Sequence, residues 1–177
     1  MSPDLLWMAL ALATWGIGEG MFYFFQPLYL QQLGANPQRI GEILGIVGIA
    51  MSLAHLPAGY LADRIGRRPL LIAAWLSGGT ATAIMVLAKS LPLFVVGMSL
   101  YGLTAFVSGP LNSYITAARG NWSVGRAITS ISAAFNIGAI LGPLLGGWVG
   151  QHLGLHTSFQ FSFILFILST IFILRIR

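Results

Sequence analysis

One carboxylic acid stands in the middle of a long apolar run. Glu19 lies within residues 5–30, and Trp15, Phe22, Tyr23 and Gln26 recur around it at helical spacing, which makes one polar-aromatic stripe. A charged acid at the centre of a bilayer costs about 2.5–3.5 kcal/mol on insertion scales, so this residue is expected to face protein rather than lipid. Two chemistries suit it. It is either a titratable, cation-attracting group on an aromatic wall, or a protonated acid hydrogen-bonded to neighbouring backbone.

Two further stripes carry polar groups without charge. Tyr101, Thr104, Ser108 and Asn112 share one face of residues 91–117, and Thr129, Ser132 and Asn136 share one face of residues 125–149. Singly, such residues are hydrogen-bonding glue between membrane helices. Facing one another across a cavity, they would bind a small polar or amphipathic solute. His55 shares a stripe with Gly48, Ser52 and Gly59 and reads as a helix-interface residue, since no second metal ligand lies at suitable spacing. Nothing in the chain resembles a nucleophile triad, a phosphate-binding loop or a metal cluster. The chemistry on offer is binding and proton exchange, with no enzyme activity and no cofactor expected.

The elements that position these residues are membrane spans. The chain has 177 residues, 56% hydrophobic and only 7% charged, with a mean hydropathy of +0.84. A soluble domain of this length would carry far more charge. Six apolar segments, at 5–30, 41–62, 69–88, 91–117, 125–149 and 157–174, are each long enough for a bilayer of about 30 Å. The fold class is therefore an all-α membrane protein of six transmembrane helices, residues 1–177 forming one domain. There is no cysteine, which excludes disulfides and thiolate metal sites. The net charge of +5 sits in short loops, so it does not point to nucleic acid. The start, Met1-Ser2-Pro3-Asp4, lacks the basic region of a signal peptide.

Arginine placement sets the orientation. With both termini cytoplasmic, the inner side holds Arg64, Arg67, Arg68, Arg119, Arg126, Arg175 and Arg177, and the outer side only Arg39 and Lys89. Pro27 and Pro110 recur in the first and fourth spans, and Pro57 and Pro143 in the second and fifth. That recurrence agrees with an inverted repeat of three helices, and chance placement explains it almost as well.

Two motifs are more specific. Residues 59–69, Gly-Tyr-Leu-Ala-Asp-Arg-Ile-Gly-Arg-Arg-Pro, put one acid, three arginines and two glycines between apolar runs, so they are expected to form a short loop at a membrane face. In the fifth span Ser130, Ala134, Gly138, Gly142, Gly146 and Gly150 fall every four residues, a ridge on which another helix can approach to backbone contact. Within it, Gly138, Gly142, Pro143, Gly146 and Gly147 make up the packing motif, and Pro143 frees a carbonyl and permits a bend.

These strings resemble the major facilitator superfamily (MFS). Gly59, Asp63, Arg64, Gly66, Arg67 and Arg68 match its gating signature between helices 2 and 3. The fifth-span motif is similar to that of drug–proton antiporters, and Gln26-Pro27-Leu28-Tyr29-Leu30 resembles the outer end of helix 1. The resemblance covers the whole chain but only the N-terminal half of the family's two-half fold. It implies that the first and fourth spans line a central cavity. Candidate substrate and proton sites are then Glu19, Trp15, Tyr23, Gln26, Tyr101, Ser108, Asn112, Ser132 and Asn136. There is one departure. The helix 4 arginine usual in proton-coupled exporters is replaced by Met98, and the acid at the inner end of that helix is absent.

The expected function is movement of a small solute across an inner membrane by alternating access, in an exporter or antiporter mode with the proton as candidate coupling ion. The partner would be a second copy, giving a homodimer, or a second MFS half. The alternatives are a sugar or metabolite carrier, and a non-transporting membrane module or excised half.

Overall fold

The computed structural model describes residues 2–56 and 58–177, and the side chains of residues 58, 59, 62 and 63 lie outside that description. The expectations for Pro57, and for the side chains of Gly59 and Asp63, therefore fall outside the described residues. Everything regular among the rest is helical: α1 (Pro3–Tyr23), α2 (Gln26–Gln32), α3 (Pro37–Ala54), α4 (Ala58–Ile65), α5 (Arg67–Leu87), α6 (Leu91–Leu103), a 3-10 turn (Thr104–Val107), α7 (Ser108–Ala118), α8 (Val124–Leu153) and α9 (Leu155–Ile173).

Prolines divide what the sequence reads as unbroken. The first span, expected at 5–30, is α1 plus α2, joined at Phe24 and Phe25. Pro27 has no N–H for the carbonyl of Tyr23, four residues back, and its ring crowds that carbonyl, so α1 ends there. Pro110 acts alike on Phe106, and the fourth span tightens into the 3-10 turn before continuing as α7. Pro143 does not interrupt α8, which runs through it for 30 residues. The second span, expected at 41–62, is α3 and α4.

The signature segment differs from the expected loop. α4 carries the chain to Ile65, and α5 begins at Arg67, so the turn is confined to Gly66. Its φ of 88° lies where a side chain would be strained, so a glycine is needed there. Arg64 lies in the last turn of α4, and Arg67 and Arg68 open α5, so these arginines stand at helix ends without an extended loop.

Among the described residues, five stretches are long and apolar enough to cross a membrane: Pro3–Tyr23, Arg67–Leu87, Leu91–Ala118, Val124–Leu153 and Leu155–Ile173. The α3 helix is not among them. It opens with Arg39 and Glu42 in its first turns, and none of its residues is buried.

The core forms around α1, which packs against α8 and α9, while α5 packs on α6 and α9. Against α8 the contact is backbone to backbone. A Cβ added at Gly142 would stand 2.5 Å from the Ile17 carbonyl oxygen and 2.6 Å from Gly20 Cα. One at Gly146 would stand 2.5 Å from the Met21 oxygen, and one at Gly138 would collide with the Ala13 carbonyl. Towards the C-terminal end of α8 the ridge changes partner, and Gly150 faces Leu155 and Ser158. Gly147 points off the ridge towards the Phe25 ring, at ordinary contact distance. Against α5 and α9 the packing is aromatic. Trp15 stacks edge-on to Phe166 at 4.3 Å, lies 5.0 Å from Trp75 and fills the notch left by Gly78.

Candidate functional site: a cavity around Glu19

Helix α1 carries Trp15 and Glu19 on one face, with Tyr23 at its end and Gln26 opening α2. Trp15 is buried, fixed by Trp75, Phe166 and Tyr101, and its ring is stacked on Tyr101 at 6.0 Å and 20°. Glu19 is half-buried, and its carboxyl is flanked by the Tyr101 hydroxyl and the Trp15 indole, both placed to donate to it. The aromatic ring system thus holds two donors beside Glu19, the one acid among the described residues that line the cavity.

The cavity has a volume of about 730 Å³, within the range of small-molecule sites. Trp15, Glu19, Tyr23, Gln26, Tyr101, Ser108, Asn112, Ser132 and Asn136 all line it. The structure brings together every residue singled out as a substrate or proton candidate, from five helices distant in sequence. Thr104 also lines it, whereas Thr129 is exposed away from it. Hydroxyls of Thr104 and Ser108 donate back to the carbonyls of Tyr101 and Ala105, each at 2.7 Å. The side chains of Asn112, Ser132 and Asn136 make no hydrogen bond among the described residues and open into the cavity.

Sequence reasoning missed the wall supplied by α3. Leu44, Val47, Gly48, Met51 and His55 line the cavity, and they recur at three- and four-residue steps, so their common face was readable. His55 is not the interface residue expected. It is exposed, and nothing packs within 4 Å of where a Gly48 side chain would stand. Met98, where the resemblance implies an arginine, is buried in the wall, and among the described residues no lysine or arginine lines the cavity.

The signature arginines engage backbone. Arg67 Nη1 donates to the Ser113 carbonyl at 3.3 Å, and Arg68 Nε to the Ile176 carbonyl at 3.0 Å. Arg64 lies over the Tyr60 ring at 4.6 Å. Close by, the Tyr114 hydroxyl donates to the Arg177 carbonyl at 2.7 Å, and Asp4 Oδ1 accepts from the Arg177 N–H at 3.2 Å.

Apolar helices thus enclose a cavity of mixed aromatic and amide lining. The chain belongs to the Major Facilitator Superfamily, whose family model matches residues 7–177. It is 30% identical over 144 residues to the inner membrane transport protein YajR of Escherichia coli K12, covering 74% of this chain and 32% of that one. It is 27% identical over 152 residues to the multidrug resistance protein MdtG of Escherichia coli O81, covering 80% and 37%. Among solved structures, the human organic anion transporter MFSD10 (TETRAN) superposes with a TM-score of 0.73 at 17% identity, a likeness of fold alone. The match covers 99% of this chain and 48% of that one. The chain spans less than half the length of these relatives.

Proposed function

We propose that the chain is a six-span half of an alternating-access transporter, with its solute site in the cavity around Glu19. The spans are α1 with α2, α3 with α4, α5, α6 through α7, α8 and α9. Both termini face the cytoplasm, on the arginine distribution, and the membrane is a bacterial-type inner membrane. The carrying observation is convergence. Three polar stripes, the first and third more than a hundred residues apart, meet in one cavity where Glu19 is the one carboxylate among the described lining residues.

The mode is exporter-like antiport, in which a proton and a cationic solute compete for Glu19. Aromatic rings attract cations through their faces, and no fixed positive charge in the wall opposes this. The similarity to a protein named for multidrug resistance supports the same reading. A second half completes the cavity, supplied by a second copy of the chain or by further chain joined to this one. Exposed apolar residues along α8, among them Ile137, Ile140, Leu144 and Trp148, offer it a surface.

Counterflow in proteoliposomes tests the reading. Vesicles loaded with a hydrophobic cation should accumulate labelled cation, and vesicles loaded with sugars should not. Counterflow of sugars alone would replace the exporter by a metabolite carrier.

A further inference from the structure

His55 is the cavity residue that the cycle above leaves unused. Its Nδ1 stands 2.9 Å from the carbonyl oxygen of Met51, one turn back. A carbonyl only accepts, so Nδ1 carries the hydrogen, and the Nδ1–H tautomer has its lone pair at Nε2. That bond fixes the tautomer and braces the ring at the end of α3. The ring is exposed and lines the cavity, so Nε2 is open to a solute.

The position matters as much as the tautomer. Met51 is level with Gly102, since its Cβ lies 3.8 Å from where a Gly102 side chain would begin. Glu19 is flanked by Tyr101, the adjacent residue on α6. Four residues of helix carry His55 about 6 Å beyond Met51. The carboxyl group and the imidazole acceptor therefore stand at different depths of one cavity. Elsewhere in the lining, the hydroxyl hydrogens of Thr104 and Ser108 are already committed to backbone carbonyls.

We propose that His55 Nε2 is a second recognition point of the solute site, accepting a hydrogen bond from an N–H or O–H of a cationic solute whose charge lies at Glu19. This rests on the reading of the cavity as the solute site and narrows the substrate class to aromatic cations that carry a hydrogen-bond donor away from the charge. Affinity for such a cation depends on His55, and affinity for a cation without a donor does not.

The test measures binding of two probes to the full chain in lipid nanodiscs. Ethidium carries aromatic amines, and tetraphenylphosphonium has no donor. His55→Phe is expected to weaken ethidium about three- to tenfold, the ratio one net hydrogen bond carries, and to leave tetraphenylphosphonium within about twofold. His55→Gln, whose amide oxygen reaches the place of Nε2, restores ethidium binding. His55→Asn reproduces only the Nδ1 side and behaves as His55→Phe. Equal losses for both probes in His55→Phe, or wild-type ethidium affinity in His55→Asn, would overturn the proposal. Binding of neither probe to the wild-type chain overturns it together with the cation reading. Glu19→Gln separates the two. Unchanged affinity for both probes in that variant overturns the cation reading and the placing of the charge at Glu19, while an ethidium-selective loss in His55→Phe still upholds His55 as a contact.

Discussion

Arg68 of the signature segment donates through Nε to the carbonyl oxygen of Ile176, 108 residues away in sequence and 3.0 Å away in space. The bond ties the start of α5 to the residues that follow α9. Beside it, Arg67 reaches the Ser113 carbonyl of α7 in the same way. In this chain the acid expected at the inner end of the fourth span is missing, and backbone carbonyls take its place as partners. Carbonyls do not titrate, so this clasp keeps its partners as pH changes.

The first prediction concerns that clasp. Arg68→Ala should remove about 1 kcal/mol of local stability, the net worth of one hydrogen bond. Amide hydrogen exchange at residues 174–177 should speed up, while exchange in the middle of α9 stays as it was. Unchanged exchange at the end of α9 would mean that Arg68 holds nothing there.

The glycine ridge gives the second prediction. Gly142→Leu or Gly146→Leu drives a side chain into the backbone of α1 at Gly20 or Met21, and overpacking of this kind costs about 1–3 kcal/mol or more. Leu144 is 68% exposed, so Leu144→Ala should unfold in detergent at nearly the wild-type temperature. Equal thermal shifts at all three positions would show that the ridge does not set the α1–α8 packing.

A buried relay supplies the third. Trp75 Nε1 donates to Ser169 Oγ at 2.7 Å, and Ser169 Oγ donates to the Ala11 carbonyl at 2.6 Å, so α5, α9 and α1 are joined behind Trp15. Ser169→Ala should cost about 1 kcal/mol, as single interhelical hydrogen bonds in membranes do. It should also shift tryptophan fluorescence as the Trp75 indole loses its acceptor. Ser169→Thr, which keeps the hydroxyl, should recover the wild-type spectrum. A spectrum unmoved by the alanine would contradict the relay.

Much of the site was legible in the sequence because helical periodicity is a local property. The stripe through Trp15, Glu19, Tyr23 and Gln26, and that through Tyr101, Ser108 and Asn112, needed only spacing to show a common face. That they meet across one cavity follows from the family resemblance and from long-range packing, which spacing alone does not contain. Helix breaks were less legible. Pro27, Pro110 and Pro143 look alike in sequence, yet α1 and the fourth span are interrupted while α8 runs on, its Pro143 ring set against Gly20. The difference lies in the neighbouring helix, not in the proline. His55 was misread for the same reason. Its stripe with Gly48 has the small residues of an interface, but among the described residues no helix closes over it, and it faces the cavity instead.

The central claim is that Glu19 carries the proton and the solute's charge in turn. Proteoliposomes containing the wild-type chain or Glu19→Gln, with a pH step imposed across the membrane, measure it directly through flux of a labelled hydrophobic cation. The account predicts that the wild type drives flux with the pH step and that Glu19→Gln, inserted to the same level, loses pH-driven flux. A Glu19→Gln variant whose flux followed the pH step as the wild type does would contradict it.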